Sequence, residues 1–445
     1  MMQESAAFLR LSLRQVDQEV ANHIAAEARR QSERLELVAS ENQISAAQLE
    51  AIGSILSNTT VEGYPGARFL AASEAVDALE RLAIARACKL FDARFANVQP
   101  HSGTQANQAV MLALLRPGDT LLSMSLAAGG HFSHGEPSTL SGQWFQAFHY
   151  GVDARTQLID YEQARALALQ HRPRLIIAGA SAYPRSIDFA RFGQIAREVG
   201  AHLMVDIAHV AGLVATGHFP NPLPHADIVT STTYKNFRGV RGGLILCNDP
   251  MLARRLDAAV CPGLQGTPIM NMIAAKAVAF KEALQPEFAA YSGQVLRNVR
   301  VLGNALAQRG IPMLTGGTDA PFLIADLRPL GISADPLVRL LDALNVGCNA
   351  APVPGDSDFA RARGLRLGVS ALTTRGMHEA EFTEIAGIIA DAADAVAQGR
   401  PPPTGGADAV RALCGRFAFH ATGRPAPDSE GGCSSWPLNQ NAGSA

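Results

Sequence analysis

Short apolar runs alternate with stretches of helical periodicity through the middle of the chain. The apolar runs are TLLSMSL, RLIIAGASA, HLMVDIA, DIVTSTT and GGLILC. Before them, the segment EAVDALERLAIARACKLFD (residues 74–92) repeats apolar residues at helical spacing and begins with acidic residues, which suit a helix N-terminus. Strands that alternate with helices in this way are typical of a parallel sheet wrapped by helices. The pattern therefore predicts an α/β fold.

The same pattern divides the chain into parts. A chain of 445 residues exceeds what one hydrophobic core usually serves. Residues 7–33 read as helical, and after about residue 285 the pattern changes to that of a smaller α/β unit. We expect four parts, namely an N-terminal helical arm over 1–55, a large domain over 56–285, a small C-terminal domain over 286–422 and a flexible tail over 423–445.

Composition narrows the class of protein. The chain is 47% hydrophobic and only 18% charged, with a net charge of -2, which describes a large and well-buried enzyme. It has no basic stripe, so nothing favours a nucleic-acid partner. No apolar run approaches the roughly 18 residues of a membrane span, and the N-terminus lacks the apolar centre of a signal peptide. We expect a cytoplasmic enzyme with a small-molecule substrate and no membrane partner.

The cysteines predict no metal site. They are scattered, with no CxxC pair and no cluster of His and Cys at zinc spacing. Each is read as a structural thiol, because free cysteine packs as a small buried hydrophobe. The six positions are Cys88, Cys247, Cys261, Cys348, Cys414 and Cys433.

A polar loop in PHSGTQAN precedes a predicted helix. Ser102, Gly103 and Thr104 form this loop, and the free N–H groups and positive dipole end of a helix start favour a phosphate. A plain helix cap explains Thr104 equally well. The loop by itself therefore leaves both a phosphate site and a cap open.

Two ionisable residues follow an apolar strand in HLMVDIAHVAGL. Asp206 ends the strand, where a carboxylate is costly unless it is paired with something positive. An N-cap or an ordinary salt bridge would also explain it. His209, three residues later, reads either as a site residue or as a hydrogen-bonded core histidine.

Lys235 follows the strand DIVTSTT and stands out among the lysines. Most lysines are solvated surface charges. This one is flanked by Thr232, Arg238 and Arg241 and is followed by a glycine pair that permits close backbone approach. Positive neighbours and partial burial would lower its pKa and make it a better nucleophile toward a carbonyl. A phosphate loop, an acid for a ring nitrogen and an activated lysine together indicate pyridoxal 5'-phosphate.

The chain resembles the serine hydroxymethyltransferase family, whose members are pyridoxal-phosphate enzymes of fold type I. The resemblance covers about residues 20–420 and implies a large, mostly parallel sheet domain with a smaller C-terminal α/β domain. It also implies a homodimer or homotetramer with active sites at the subunit interface. The matching segments, in family order, are LVASEN, VEGYPGARF, FANVQPHSGTQAN, GGHFSHG, SAYPRSIDF, VDIAHVAGLVATG, TTYKNFRGVRGGLIL, PGLQG and LRLGVSALTTRG.

The resemblance also implies roles for individual residues. Lys235 would hold the cofactor covalently, Asp206 would keep its ring nitrogen protonated and His131 would stack on its ring. Arg366 would bind the substrate carboxylate in a bidentate pair, and Glu62 would act as acid and base at the substrate hydroxyl. The phosphate loop would be helped by Gly266, in the PGLQG loop of a neighbouring subunit. The remaining positions implied to line the site are Ser40, Ser181, His209, Thr232 and Arg241.

The implied reaction is reversible cleavage between Cα and Cβ of a β-hydroxy amino acid, in which serine and tetrahydrofolate give glycine and methylenetetrahydrofolate. Several positions depart from the family pattern. Thr60 and Leu70 replace tyrosines, Phe69 replaces another, and Tyr234 replaces a histidine. Ala351 replaces an asparagine that hydrogen-bonds the folate ring, which an alanine cannot do.

These departures leave alternatives open. A folate-independent L-threonine aldolase or transaldolase on the same scaffold would explain the lost tyrosines and asparagine. A weakly active paralogue that binds pyridoxal phosphate and serves a regulatory role is a third reading.

Overall fold

The computed structural model describes residues 9–356 and 361–417. The tail predicted over 423–445 lies outside these residues. The helices are α1 (Leu13–Val16), α2 (Gln18–Ser32), α3 (Ala46–Ile52), α4 (Glu74–Phe91), α5 (Gly103–Leu114), α6 (Leu140–Trp144), α7 (Tyr161–His171), α8 (Phe189–Val199), α9 (Ala211–Ala215), α10 (Pro250–Ala258), α11 (Met270–Ala283), α12 (Pro286–Gln308), α13 (Ala334–Ala343), α14 (Ser370–Thr374), α15 (Glu379–Ala397) and α16 (Gly406–Gly415).

The strands form one large sheet, a smaller sheet and two short pairs. They are β1 (Leu35–Glu36), β2 (Gly63–Tyr64), β3 (Ala67–Arg68), β4 (Phe95–Asn97), β5 (Thr120–Met124), β6 (Gln146–Tyr150), β7 (Leu175–Gly179), β8 (His202–Asp206), β9 (Ile228–Thr232), β10 (Gly243–Cys247), β11 (Phe322–Asp326), β12 (Val346–Gly347), β13 (Asn349–Ala351) and β14 (Gly364–Gly368).

The large sheet has seven strands in the order β4-β10-β9-β8-β7-β5-β6. The five strands from β9 to β6 run parallel, and β10 runs antiparallel to both of its neighbours. The predicted α/β class, with a large and mostly parallel sheet, is confirmed.

Both faces of this sheet are buried. Along β7, Ile176 and Ala178 belong to one hydrophobic cluster, whereas Leu175 and Ile177 belong to another on the opposite face. Helix α5 contributes Val110 to the second cluster. A strand that is covered on both faces reads as a continuous apolar run, which is why LIIAG shows no alternation with polar residues.

The parallel strands place several functional side chains at one edge of the large sheet. Asp206 is the last residue of β8 and pairs in register with Gly179, the last residue of β7. Thr232 ends β9, and Lys235 follows three residues later in the loop that returns as β10. Ligands in open α/β sheets bind beyond the carboxyl ends of the strands, so this edge is where a site is expected.

The smaller sheet has the order β11-β14-β13, and all of its pairs are antiparallel. The N-terminal segment reaches it, because the amide of Gly368 donates to the carbonyl of Leu37 at 2.7 Å. Strand β1 also pairs with β12, with Leu35 opposite Val346. Residues 35–39 therefore pack on the C-terminal part of the chain.

The helix predicted over 74–92 is confirmed as α4. The single helical stretch expected over 7–33 is instead divided at Asp17, which has extended backbone angles and accepts a hydrogen bond from the amide of Val20 at 2.9 Å. A carboxylate that caps the next helix has to leave the preceding one, so α1 ends there. The domain boundaries stay a prediction. Within the described residues, no helix has the length and apolar character needed to cross a membrane.

Candidate active site

A cavity that is open at its mouth lies at the carboxyl edge of the large sheet. It brings together nine of the residues predicted from the sequence. These are Ser102, Gly103, Thr104, His131, Ser181, Asp206, His209, Thr232 and Lys235. Asn107, His134 and Tyr234 complete its polar lining.

One wall of the cavity is the N-terminus of α5. Ser102 is the cap of this helix, and its Oγ accepts from the amide of Gln105 at 3.1 Å, so Thr104 is not needed as a cap. A Cβ added to Gly103 would lie 2.6 Å from Cγ2 of Thr232, and one added to Gly243 would lie 2.3 Å from the carbonyl oxygen of Ser102. Only glycine permits this close packing of helix and strands. The result is a cradle in which the helix dipole favours an anion.

Beneath the cradle lies a buried lysine that the sequence analysis did not single out. The ammonium of Lys276, in α11, donates to the carbonyl oxygens of Val98 at 2.7 Å, Gly243 at 2.9 Å and Pro100 at 3.1 Å. Burial lowers the pKa of Lys276 to about 7. These bonds tie the end of β4 to the start of β10 next to the cradle.

Asp206 is held by neutral donors and a histidine. Its Oδ2 accepts from Asn107 Nδ2 at 2.9 Å and lies 3.1 Å from His134 Nε2, and its Oδ1 accepts from the amide of Ala208 at 2.9 Å. Burial would raise the pKa of the Asp206 carboxyl, but the hydrogen bond and charge of His134, together with His131 and Asn107, hold it well below its usual value. An ionised carboxylate here can keep a proton on a basic ring nitrogen.

His131 lies on the loop after β5. Its Nδ1 is 2.8 Å from Ser133 Oγ and accepts from the Ser133 amide at 3.2 Å. Burial lowers the pKa of His131 to about 4, and the charge of His134 acts in the same direction. The imidazole is therefore neutral at pH 7, as suits a ring that packs against a flat ligand.

Lys235 is 6% exposed, and its Nζ lies 3.1 Å from Nε2 of His209. Burial lowers the pKa of Lys235 to about 8, the charges of Arg366 and Arg241 act in the same direction, and Asp206 opposes them. The predicted lowering of this pKa is thus confirmed, although Arg366 acts in place of Arg238. The Arg238 guanidinium instead lies 4.9 Å from the ring centre of Tyr291.

Two neighbours fix the lysine. Asn42 Nδ2 donates to the carbonyl oxygen of Lys235 at 2.9 Å, which ties the lysine loop to the N-terminal segment. Burial, followed by the charge of Lys235, lowers the pKa of His209 well below its usual value. A neutral His209 accepts a hydrogen bond from Lys235 when the lysine is protonated. When the lysine is uncharged, His209 leaves the amine free to react.

Arg366 lies in β14 and is mostly buried. Its Nη1 donates to the carbonyl oxygen of Ser181 at 2.8 Å and its Nε donates to Asn349 Oδ1 at 3.1 Å. Burial lowers its pKa to about 10, and no carboxylate among the described residues offsets that effect. Its partner Ser181 lines the cavity and its charge lowers the pKa of Lys235, so the guanidinium lies next to the cavity, although Arg366 is not part of the lining. Within the described residues, Arg366 therefore forms no surface ion pair.

Five predicted residues do not line the cavity of their own chain, namely Ser40, Glu62, Arg241, Gly266 and Arg366. A Cβ on Gly266 would lie 2.9 Å from Oε1 of Glu62, so these two are neighbours elsewhere on the surface. Arg241 is exposed, with its guanidinium 4.5 Å from the ring centre of Tyr234 at the cavity wall. Ser40 follows Ala39, which packs against Gly368 at the end of β14.

The positions that depart from the family pattern lie in different surroundings. Tyr234 lines the cavity. Phe69 and Leu70 are 65% and 46% exposed. Ala351 is 2% exposed and packs in an apolar cluster with Phe322 and Val353.

The sequence analysis missed Asn107, His134, Lys276 and Asn349. Asn107 carries a readable signal, because it lies one helical turn after Gly103 on the helix that forms the cradle. His134 is the second histidine of the segment GGHFSHG, for which no role was predicted. Lys276 and Asn349 depend on contacts between distant segments and carry no local signal.

The cavity fits pyridoxal phosphate. The cradle suits its phosphate, the ionised Asp206 suits its ring nitrogen, and the buried amine of Lys235 suits its carbonyl carbon. The mostly parallel sheet and the position of the lysine after β9 agree with the same conclusion. Fold and cavity together define a pyridoxal-phosphate-dependent enzyme of fold type I.

Comparison with known proteins identifies the family. A sequence profile described as serine hydroxymethyltransferase matches residues 13–389. The chain is 50% identical to the serine hydroxymethyltransferase of Rhodospirillum centenum over 94% of this chain and 99% of that protein. It is 54% identical to that of a Cyanothece species over 85% of this chain and 89% of that protein. The chain belongs to the serine hydroxymethyltransferase family, and members of this family are transferases that use pyridoxal phosphate.

Substitution of Lys235 tests the assignment of the amine. Lys235→Ala should lose the near-visible absorbance of the covalently bound cofactor and lower kcat by at least about 10³-fold, because no other amine reaches the cavity among the described residues. Lys281→Ala, on an exposed part of α11, is the control and should keep both. A Lys235→Ala protein that retains the band after dialysis would contradict the assignment.

The lowered pKa of Lys235 predicts a pH dependence for cofactor capture. Below its pKa the lysine is protonated and cannot attack a carbonyl, so the rate at which cofactor-free protein binds pyridoxal phosphate covalently should rise with pH and reach its midpoint at about 8. Stopped-flow absorbance over a range of pH measures this rate. A midpoint near 10.5, the ordinary lysine value, would show that burial does not control the amine.

Proposed function

We propose that this protein moves a one-carbon unit between serine and tetrahydrofolate by reversible cleavage of the Cα–Cβ bond of serine. The observation that carries the proposal is that Arg366, held on the carbonyl of Ser181 at the edge of the cavity, lies close enough to Lys235 for its charge to lower the pKa of the lysine. A buried guanidinium without a carboxylate partner suits the carboxylate of an amino acid. The activated amine beside it suits the carbonyl of the cofactor, so one cavity accommodates both.

The proposed roles follow from the contacts. When bound, pyridoxal phosphate withdraws electrons from Cα of the substrate and so permits a bond at that carbon to break. Lys235 holds the cofactor, the cradle of Ser102 to Thr104 binds its phosphate, and Asp206 keeps its ring nitrogen protonated. His131 packs on the ring as a neutral imidazole. Arg366 binds the substrate carboxylate and so fixes which bond at Cα lies perpendicular to the ring.

Other residues support this arrangement. Ser181 supplies the carbonyl that orients Arg366, and Thr232 packs against Gly103 at the cradle. His209, held neutral by burial and by the charge of Lys235, lies 3.1 Å from the amine and orients it by accepting a hydrogen bond.

We propose that Glu62 acts in the cavity of a second copy of the chain, as acid and base at the substrate hydroxyl. Glu62 and Gly266 adjoin each other and lie outside the cavity of their own chain. Exposed apolar side chains lie within eight residues of them along the chain, and exposed apolar surface is typical of an interface between subunits. These side chains are Ile55, Phe69, Leu70 and Ile269. A homodimer or homotetramer supplies both Glu62 and Gly266 to each site.

Arg241 and Ser40 complete the proposal. Arg241 is exposed in the single chain and lies over Tyr234, so a second copy would cover it at the mouth of the cavity. Ser40 follows a segment fixed on β14 and is proposed to bind the substrate beside Arg366. We further propose a cytoplasmic location, since five cysteines in the described residues are free thiols, as suits a reducing compartment.

A second candidate function is supported by Ala351. Its methyl group is buried in an apolar cluster, so this position offers no hydrogen bond to a folate ring. Leu70 likewise has no hydroxyl group at a position where the family has a tyrosine. These two positions favour a folate-independent aldolase or transaldolase that acts on threonine or another β-hydroxy amino acid.

Glycine formation distinguishes these functions. The holoenzyme with serine should form glycine only when tetrahydrofolate is present, and an Ala351→Asn variant should lower the KM for tetrahydrofolate by about tenfold by restoring a hydrogen-bond partner. Ala350→Asn, one residue away on the opposite face of β13, is the matched control. Glycine release from threonine that is faster than from serine and needs no folate would support the aldolase instead. A normal cofactor band with no turnover of either substrate would support the weakly active paralogue.

Subunit complementation tests the position of Glu62. Neither Lys235→Ala nor Glu62→Gln should be active alone. Dimers that contain one chain of each variant should hold one complete site, so co-expression should restore about a quarter of the wild-type activity. Co-expression of Lys235→Ala with Arg366→Lys is the control and should restore nothing, since both residues serve the cavity of one chain. If co-expression of Glu62→Gln with Lys235→Ala restores no activity either, Glu62 does not act across the interface.

A further inference from the structure

Arg366 is oriented by two neutral oxygen atoms, one on each side. One is the backbone carbonyl of Ser181, 2.8 Å from Nη1, which no substitution removes. The other is Oδ1 of Asn349, 3.1 Å from Nε. Asn349 is therefore the one side chain, within the described residues, that accepts a hydrogen bond from this arginine.

The sheet builds this contact. Asn349 in β13 and Arg366 in the central strand β14 are paired in antiparallel register. Residues that face each other in such a pair project their side chains from the same face of the sheet. The Asn349 amide nitrogen donates to the carbonyl oxygen of Ala350 at 2.8 Å, which leaves Oδ1 directed at the guanidinium. Both ends of the amide are thus fixed before any substrate binds.

The chemistry of this neighbour matters. A guanidinium has five N–H donors, so the bonds to Ser181 and Asn349 leave three N–H groups, including both on Nη2, for a carboxylate. An asparagine orients the group without neutralising it. An aspartate in the same place would form an ion pair with Arg366 and would compete with the substrate for its charge.

We propose that Asn349 is a positioning residue that orients Arg366 as a neutral acceptor and so sets the preference of the site for a ligand carboxylate. The inference rests on the proposed role of Arg366 as the carboxylate-binding residue. It predicts an effect on carboxylate recognition in particular, because Asn349 touches neither the cofactor cradle nor Lys235.

Two ligands and three variants test the proposed role of Asn349. Glycine and glycinamide differ only in that glycinamide lacks the carboxylate, and titration of the holoenzyme with each, followed by cofactor absorbance, gives two dissociation constants. Asn349→Ala removes the acceptor, and Asn349→Asp keeps its shape but adds a negative charge. Asn304→Asp, on the exposed side of α12, adds the same charge far from the site and is the control.

The wild-type protein and Asn304→Asp should bind glycine much more tightly than glycinamide. Asn349→Ala should reduce that preference by about tenfold, since a hydrogen bond to a charged group is lost, and Asn349→Asp should reduce it by about 100-fold. The binding of glycinamide should change little in either variant. These results would support the inference.

The contrary outcomes are distinct. If the wild-type protein itself shows no preference for glycine, the proposed role of Arg366 fails and with it the proposed function. If the wild type prefers glycine and both Asn349 variants keep that preference, Asn349 does not position the arginine. Equal weakening of glycine and glycinamide would assign Asn349 a general structural role and would also overturn the inference.

Discussion

The active-site region depends on burying positive charge without pairing it with a carboxylate at contact distance. Lys235 lies beside the neutral His209, and Arg366 is held by a backbone carbonyl and an amide. Removing a cation from water is costly, and neutral acceptors repay only part of that cost. The desolvation cost that remains lowers the pKa values of both groups. Arg366 is therefore ready for an anionic ligand, and Lys235 loses its proton easily enough to react with a carbonyl.

The fold makes this burial possible. The parallel strands end at one edge, and the helices that cover both faces exclude water up to that edge. Asp206 supplies a single ionised carboxylate there, held by His134 and Asn107. Lys276 is held in the same way beneath the cradle, where three carbonyl oxygens accept hydrogen bonds from its buried ammonium. In each case backbone and amide groups position a charge that they do not cancel.

Local patterns in the sequence were enough to predict the strands β5, β7, β8, β9 and β10 of the large sheet, the cradle at Ser102 and the special character of Lys235. Each of these depends on residues that are close in the chain, such as an apolar run followed by a polar turn. Asn349 and Lys276 could not be predicted, because their contacts arise from the register between β13 and β14 and from the packing of α11 on distant loops. The break at Asp17 was missed because helical periodicity continues on both sides of a residue that caps the second helix. The separation of Glu62 from the cavity could not be read from a motif, since a motif does not say which copy of the chain it serves.

The most direct test of the account is to find where the cofactor is attached. Reduction of the holoenzyme with borohydride converts a carbon–nitrogen double bond between lysine and cofactor to a stable single bond, and mass spectrometry of the digested protein then locates the modified peptide. The account predicts that the added mass lies on Lys235, within STTYKNFRGVRGG. Attachment to another lysine, or no attachment at all, would contradict it.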